Sequence, residues 1–155
     1  LVTKEGKSPV TDFVGKSAKY ILEQVGISVG DDVKVILMGA TEDHPFVQVE
    51  LMMPILPLVR VPDVDQAIEM AVRVEHGNRH TAMMHSRNVE KLTKMAKLIQ
   101  TTIFVKNGPS YAGIGVGGEG YTTFTIAGPT GEGLTSAKSF ARRRRCVLVG
   151  GMDVR

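Results

Sequence analysis

The stretch TAMMHSRNVEKLTKMAKLIQTTIFVK, residues 81–106, decides the fold class. Its opening, Thr81-Ala82-Met83-Met84-His85, reads as a short strand. Ser86-Arg87-Asn88 then gives a helix start signal, and Val89, Leu92, Met95, Ala96 and Ile99 recur at the spacing of one helix face. Thr102-Ile103-Phe104-Val105-Lys106 returns to β-branched and aromatic residues and reads as a second strand. Strand, helix and strand at this spacing form a βαβ unit, whose crossover makes the two strands parallel.

The same alternation continues upstream. Ala18, Ile21, Leu22 and Val25 predict a helix over residues 16–25, with Gly26 placed where a helix end favours a left-handed residue. Residues 33–38 and 55–61 read as strands; Pro57 in the second points to an edge or a bulge. Asp63 with Gln66 three places on is a capping-box pattern, followed by an apolar stripe of Val64, Ala67, Ile68, Ala71 and Val72. The predicted fold class is therefore α/β, a largely parallel sheet with flanking helices.

Downstream the composition changes. More than half of the 17 glycines fall between positions 108 and 133, a loop whose ordering costs entropy and which is expected to line a site or an interface. Residues 134–141 suit a short helix and 145–149 a closing strand.

Hydrophobic residues at 43% and charged residues at 23% are the balance of a soluble globular chain. No apolar run approaches the length needed to cross a bilayer, so no membrane association is expected. Nineteen basic against 16 acidic residues leave a net charge of +3, concentrated in the arginine run 142–145, a weak argument for a nucleic-acid partner. No aromatic platforms accompany that run, so a solvated strand entry or a subunit interface is the expectation. A single cysteine excludes an internal disulfide, and eight methionines suit a reducing, cytoplasmic setting. The first residues, Leu1-Val2-Thr3-Lys4, read as an internal cut.

Three motifs invite over-reading. Gly113, Gly115 and Gly118 satisfy G-x-G-x-x-G, but the segment after them, residues 121–126, has β propensity where a dinucleotide-binding helix should start. Gly15-Lys16-Ser17 resembles the end of a phosphate-binding loop, yet Val10 stands where its first glycine belongs, so a helix start is preferred. His76, His80 and His85 lack a matching carboxylate or thiol, and no metal site is expected. Cys146 sits on a predicted strand without a nearby histidine and reads as a small apolar filler.

Read in order, several segments resemble the C-terminal half of an aldehyde dehydrogenase catalytic domain. Glu50-Leu51-Met52-Met53-Pro54-Ile55-Leu56-Pro57 is similar to that family's E-[LI]-F-G-P-V motif, with Met52 for Phe and Met53 for Gly. Thr102-Ile103-Phe104-Val105-Lys106-Asn107 resembles its G-T-x-x-V-N strand, and Val116-Gly117-Gly118 its F-G-G. Phe13-Val14-Gly15-Lys16-Ser17-Ala18 and GGEGYTTFTIAGPTGEGLTSAKSFARRRRC, residues 117–146, look like the CoA-acylating branch that serves ethanolamine and propanediol utilisation and butyraldehyde formation.

The resemblance implies an oxidoreductase that interconverts a short-chain aldehyde and its acyl-CoA with NAD and CoA. A cysteine thiolate attacks the aldehyde, hydride passes to NAD, and the thioester is transferred to CoA. That cysteine belongs upstream of the matched segment, so this chain is expected to hold no catalytic nucleophile and to be inert alone; Cys146 does not match it. Carried over residue by residue, Glu50 falls on the glutamate that holds the nicotinamide ribose, Met52 on its aromatic neighbour, and Pro109, Ser110, Tyr111, Ala112 and Ile114 on the wall of the aldehyde tunnel. Residues 1–144 would be a partial catalytic domain, and residues 145–155 a strand that pairs subunits in a homo-oligomer. The resemblance suits a cytoplasmic protein and leaves residence in a bacterial microcompartment open. A reading of another class is a stand-alone binding or assembly module docking through the terminal strand and arginine run; a third is nucleotide binding through the glycine loop.

Overall fold

The computed structural model describes residues 1–118, 126–127, 133–147 and 149–150. Two compact units divide the chain, Leu1–Gly77 and Asn78–Arg155.

The first unit opens with a small antiparallel hairpin, β1 (Thr3–Lys4) and β2 (Ser8–Pro9). Helix α1 (Ala18–Glu23) follows, capped by the Ser17 hydroxyl, which accepts from the Tyr20 N–H at 3.2 Å. It ends as its sequence predicts. Gly26 has φ +79°, and the bonds from Gly26 N–H to Glu23 O (3.1 Å) and Ile27 N–H to Leu22 O (3.0 Å) are those of a Schellman motif. Strand β3 (Ile36–Ala40) pairs in parallel with β4 (Ile55–Val59), placing Ile36 beside Ile55 and Met38 beside Pro57. The strand expected at 33–38 thus starts three residues later, because its register is fixed by pairing with β4. Pro57 is tolerated because each strand of a two-stranded ladder is an edge. Between them lies the short α2 (Pro45–Gln48), with His44 as its cap and proline in its first turn.

Val2, Phe13 and Ile21 form the core of this unit, with Ile36, Phe46, Met53 and Ile55 packed against them. Helix α3 (Val64–Val74) buries Ile68 almost completely. At its start the capping box is only half made. Asp63 accepts from the Gln66 N–H at 2.9 Å, but the Gln66 amide donates to the other Asp63 oxygen at 3.0 Å, a charge-assisted bond.

The second unit contains the βαβ arrangement expected from residues 81–106. Strands β5 (Thr81–Met84) and β6 (Ile103–Lys106) are parallel, joined by α4 (Val89–Ile99). Asn88 caps α4, accepting from the Lys91 N–H at 3.0 Å, and Leu92, Met95 and Ile99 are its buried stripe. Val89, on the expected stripe, is exposed in the first turn. The parallel pairing is therefore distributed over two ladders rather than one continuous sheet among the described residues. Two short strands, β7 (Ile126–Ala127) and β8 (Gly133–Leu134), pair antiparallel.

The helix expected at 134–141 is a 3-10 turn, Ala137–Phe140, whose Ser136 and Ser139 make a capping box. Apart from Ile126, the extended segment at 121–126 lies outside the described residues, as does much of the similarity stretch 117–146. Residues 142–147 form no ladder among the described residues, so the strand expected from position 145 is not seen there; Leu148 and 151–155 lie outside them. Cys146 is exposed, which corrects its reading as an apolar filler: no strand among the described residues covers it.

Candidate functional site

In the first unit the chain enters β4 through a tight turn. Met52 there has φ +54°, an uncommon left-handed conformation for a side chain of its size. Its carbonyl accepts from the Gly15 N–H at 3.2 Å, and Gly15 itself has φ +72°. This bond joins the turn before β4 to the segment that starts α1. Around it opens a cleft of about 560 Å³ lined by Gly15, Lys16, Ser17, Lys19, Lys34 and Asp31 on the polar side and by Ala18, Val33, Met52, Met53 and Pro54 on the apolar side.

Met52 is 58% exposed at this cleft. Its thioether is thus available to a ligand rather than consumed in the core, a flexible substitute for an aromatic ring. Glu50 lies two residues earlier, exposed, outside the cleft lining, and engaged by no side chain among the described residues. A carboxylate so placed can accept two hydrogen bonds from a sugar diol, so its chemistry fits the ribose of a nicotinamide cofactor.

Charge in the cleft is set by side chains far apart in sequence. Asp31 accepts from Lys19 at 3.0 Å, and this bond holds the Lys19 ammonium above its ordinary pKa. Lys34 donates to the Asp31 carbonyl at 2.6 Å. Lys16 stands 5.5 Å over the Tyr20 ring, a cation–π distance. Gly15-Lys16-Ser17 is, as expected, a helix start, with Ser17 as the cap of α1. Its place beside Met52 was missed because nothing in the periodicity links position 16 to position 52.

The second unit carries the expected tunnel residues on a five-residue 3-10 turn, Ser110–Ile114, with Pro109 before it. Tyr111 is 64% exposed, whereas Ser110, Ala112 and Ile114 are half-buried and Pro109 is exposed. Asn107 aims this turn. It has φ +55°, its carbonyl oxygen accepts from the Ser86 N–H at 2.7 Å, and its amide donates to the Ser86 carbonyl at 2.9 Å. The glycines are packing devices: a Cβ on Gly113 would strike the Ile103 Cγ2, and one on Gly118 would strike Ala112. Gly115, at φ +97°, closes the turn. A strand-to-helix phosphate cradle is absent from the described part of this loop, so the dinucleotide reading of its glycines is not supported.

His76, His80 and His85 are all exposed, and no three-residue group able to hold a metal occurs among the described residues. No helix among them is long and apolar enough to cross a membrane.

Comparison with known proteins gives these features a common frame. Residues 33–132 match the aldehyde dehydrogenase family. The CoA-propanoylating propanal dehydrogenase of Citrobacter freundii is 57% identical over 144 residues, 92% of this chain and 31% of that protein. Rhodopseudomonas palustris propionaldehyde dehydrogenase, solved with bound propionyl-CoA, superposes with a TM-score of 0.86 at 72% identity, covering 95% of this chain and 32% of that one. An engineered glycolyl-CoA reductase solved with NADP+ gives a TM-score of 0.86 at 70% identity, over 99% of this chain and 35% of its own. The chain spans about a third of the length of these relatives. With the family's pattern matched over residues 33–132 and relatives such as the Citrobacter freundii enzyme 57% identical over 92% of this chain, the chain belongs to the aldehyde dehydrogenase family.

Proposed function

We propose that these residues form one wall of the active site of a CoA-acylating aldehyde dehydrogenase that interconverts a short-chain aldehyde and its acyl-CoA with NAD and CoA. The likeness to the propionyl-CoA-bound enzyme carries this reading. Glu50 and Met52 would meet the nicotinamide ribose, the carboxylate accepting its hydroxyls and the thioether packing beside it. Pro109, Ser110, Tyr111, Ala112 and Ile114 would wall the aldehyde passage. The thiolate that attacks the aldehyde comes from outside these residues; Cys146 follows an arginine run on exposed chain with no base beside it in sequence. Residues 145–155 would pair subunits of a homo-oligomer. The setting is cytoplasmic, and a microcompartment is compatible with the ethanolamine- and propanediol-type relatives.

The test is acyl-CoA-dependent NADH oxidation. It is measured for the 155 residues alone and for a protein in which they replace the corresponding C-terminal third of the Rhodopseudomonas palustris enzyme. The chimera turns over propionyl-CoA and the 155 residues do not. A folded chimera without turnover refutes the proposed activity, and turnover by the chain alone refutes an external nucleophile.

A further inference from the structure

Of the three asparagines in the chain, Asn107 alone is followed by glycine; Arg79 follows Asn78 and Val89 follows Asn88. That order has a chemical consequence. A backbone nitrogen can attack the side-chain carbonyl carbon of the asparagine before it, and glycine, with no Cβ, leaves its nitrogen open to the approach. No hydrogen bond from the Gly108 N–H occurs among the described residues. The Asn107 amide, by contrast, is engaged at both ends: Oδ1 accepts from the Ser86 N–H at 2.7 Å and Nδ2 donates to the Ser86 carbonyl at 2.9 Å. Asn107 is exposed, so water reaches it without the chain unfolding. Closing a ring onto Gly108 swings the amide off Ser86 and breaks both bonds.

We propose that Asn107–Gly108 is a site of spontaneous deamidation and that the bridge to Ser86 is the brake on it. When the bridge opens, the Gly108 nitrogen bonds to Asn107 Cγ and the Cγ–Nδ2 bond breaks. The amide leaves as ammonia, taking the proton given up by the Gly108 nitrogen. Water then opens the resulting succinimide at either carbonyl, leaving aspartate or isoaspartate at position 107, with no oxidation or reduction. Neither product rebuilds the bridge. A carboxylate has no N–H to give the Ser86 carbonyl and meets it acceptor to acceptor. Isoaspartate also adds a methylene to the backbone at a residue that sits at φ +55°. The change is one-way, and it falls between β6 and the Ser110–Ile114 turn that Asn107 aims. Two exposed bonds at the low end of the usual range slow ring closure about fivefold.

The test incubates the 155-residue chain in mildly alkaline buffer, folded and in guanidinium, and reads the amide-to-acid mass gain and isoaspartate at each asparagine by peptide mass spectrometry. In the unfolded chain Asn107 reacts ahead of Asn78 and Asn88, and Gly108→Ala slows it several-fold. In the folded chain Asn107 reacts at least about fivefold more slowly than in the unfolded one. Ser86→Pro, which removes the N–H donor, speeds the folded-state reaction about twofold at unchanged circular dichroism. A second measurement needs no variant: the folded-state rate is followed in guanidinium below the unfolding transition. Release of the bridge alone gives a slope much shallower than that of global unfolding. The proposal is overturned if folded and unfolded chains react at one rate, or if the folded-state slope equals that of global unfolding. It is also overturned if a folded Ser86→Pro chain reacts no faster than the parent, or if Asn78 or Asn88 reacts first in the unfolded chain.

Discussion

Replacing Asn107 separates two forces that act at one residue. Its side chain bridges to Ser86 by two hydrogen bonds, 2.7 Å to the N–H and 2.9 Å to the carbonyl, while its backbone sits at φ +55°. Both bonds are solvent-exposed, so each contributes at the low end of the usual range, together about 1 kcal/mol. Alanine loses both and must also hold a left-handed backbone that asparagine tolerates, which adds about 1 to 2 kcal/mol. Asn107→Ala therefore costs about 2 to 3 kcal/mol. Glycine loses the same bonds but meets no penalty at positive φ, and its unfolded-state freedom costs about 0.5 to 1 kcal/mol, so Asn107→Gly is the milder change. Urea unfolding followed by circular dichroism reads this as a shift in midpoint at constant slope. A glycine variant less stable than the alanine one would refute the conformational part of the argument. Two variants as stable as the parent would refute the bridge itself.

Three other changes probe the remaining structure. Gly113→Ala drives a methyl into the buried Ile103 and costs about 1 to 3 kcal/mol; with Ile103→Ala, which removes the struck methyl, the two losses in a double-mutant cycle are less than additive. Ile68→Ala empties the most buried large side chain of α3 and costs about 2 to 5 kcal/mol in thermal or urea unfolding, whereas Ile68→Val costs about 1 kcal/mol. The Arg73 guanidinium donates to both Glu42 oxygens, at 2.8 and 2.9 Å, and holds that carboxyl below its ordinary value of 4.5. A lowered folded-state pKa contributes stability that is present above 4.5 and is lost as pH falls through the folded value. Glu42→Gln accordingly removes that contribution above pH 4.5 and flattens the acid limb of the stability profile below it; an unchanged limb would count against the pair.

Much of the fold was legible in the sequence because its signals are local. Asn88 and Asp63 cap the helices they precede, Gly26 closes α1, and the stripe Leu92, Met95 and Ile99 is the buried face of α4. What went astray depended on partners distant in sequence. β3 begins at Ile36 because β4 sets its register, and Cys146 is exposed, with no strand among the described residues over it. The candidate site divides along the same line. Family resemblance brought out Glu50 and Met52, but Lys16, Lys19, Lys34 and Asp31 meet Met52 only in three dimensions. Gly15-Lys16-Ser17 was visible as a string, but nothing in the sequence showed that Lys16 lines the same cleft as Met52.

The outward face of the β3–β4 ladder carries Leu37, Leu56 and Leu58, each about half exposed. Parallel ladders are usually covered on both faces, so these leucines leave an apolar strip open that is separate from the C-terminal segment. Contacts made through these two surfaces would respond to salt in opposite directions. Sulfate strengthens contact through the leucines, whereas added ions screen any association that depends on the charges of the arginine run at 142–145. A dimer that tightens in sulfate and dissolves when Leu56 and Leu58 become polar is a dimer of sheet faces, and it says nothing about how subunits pair through residues 145–155.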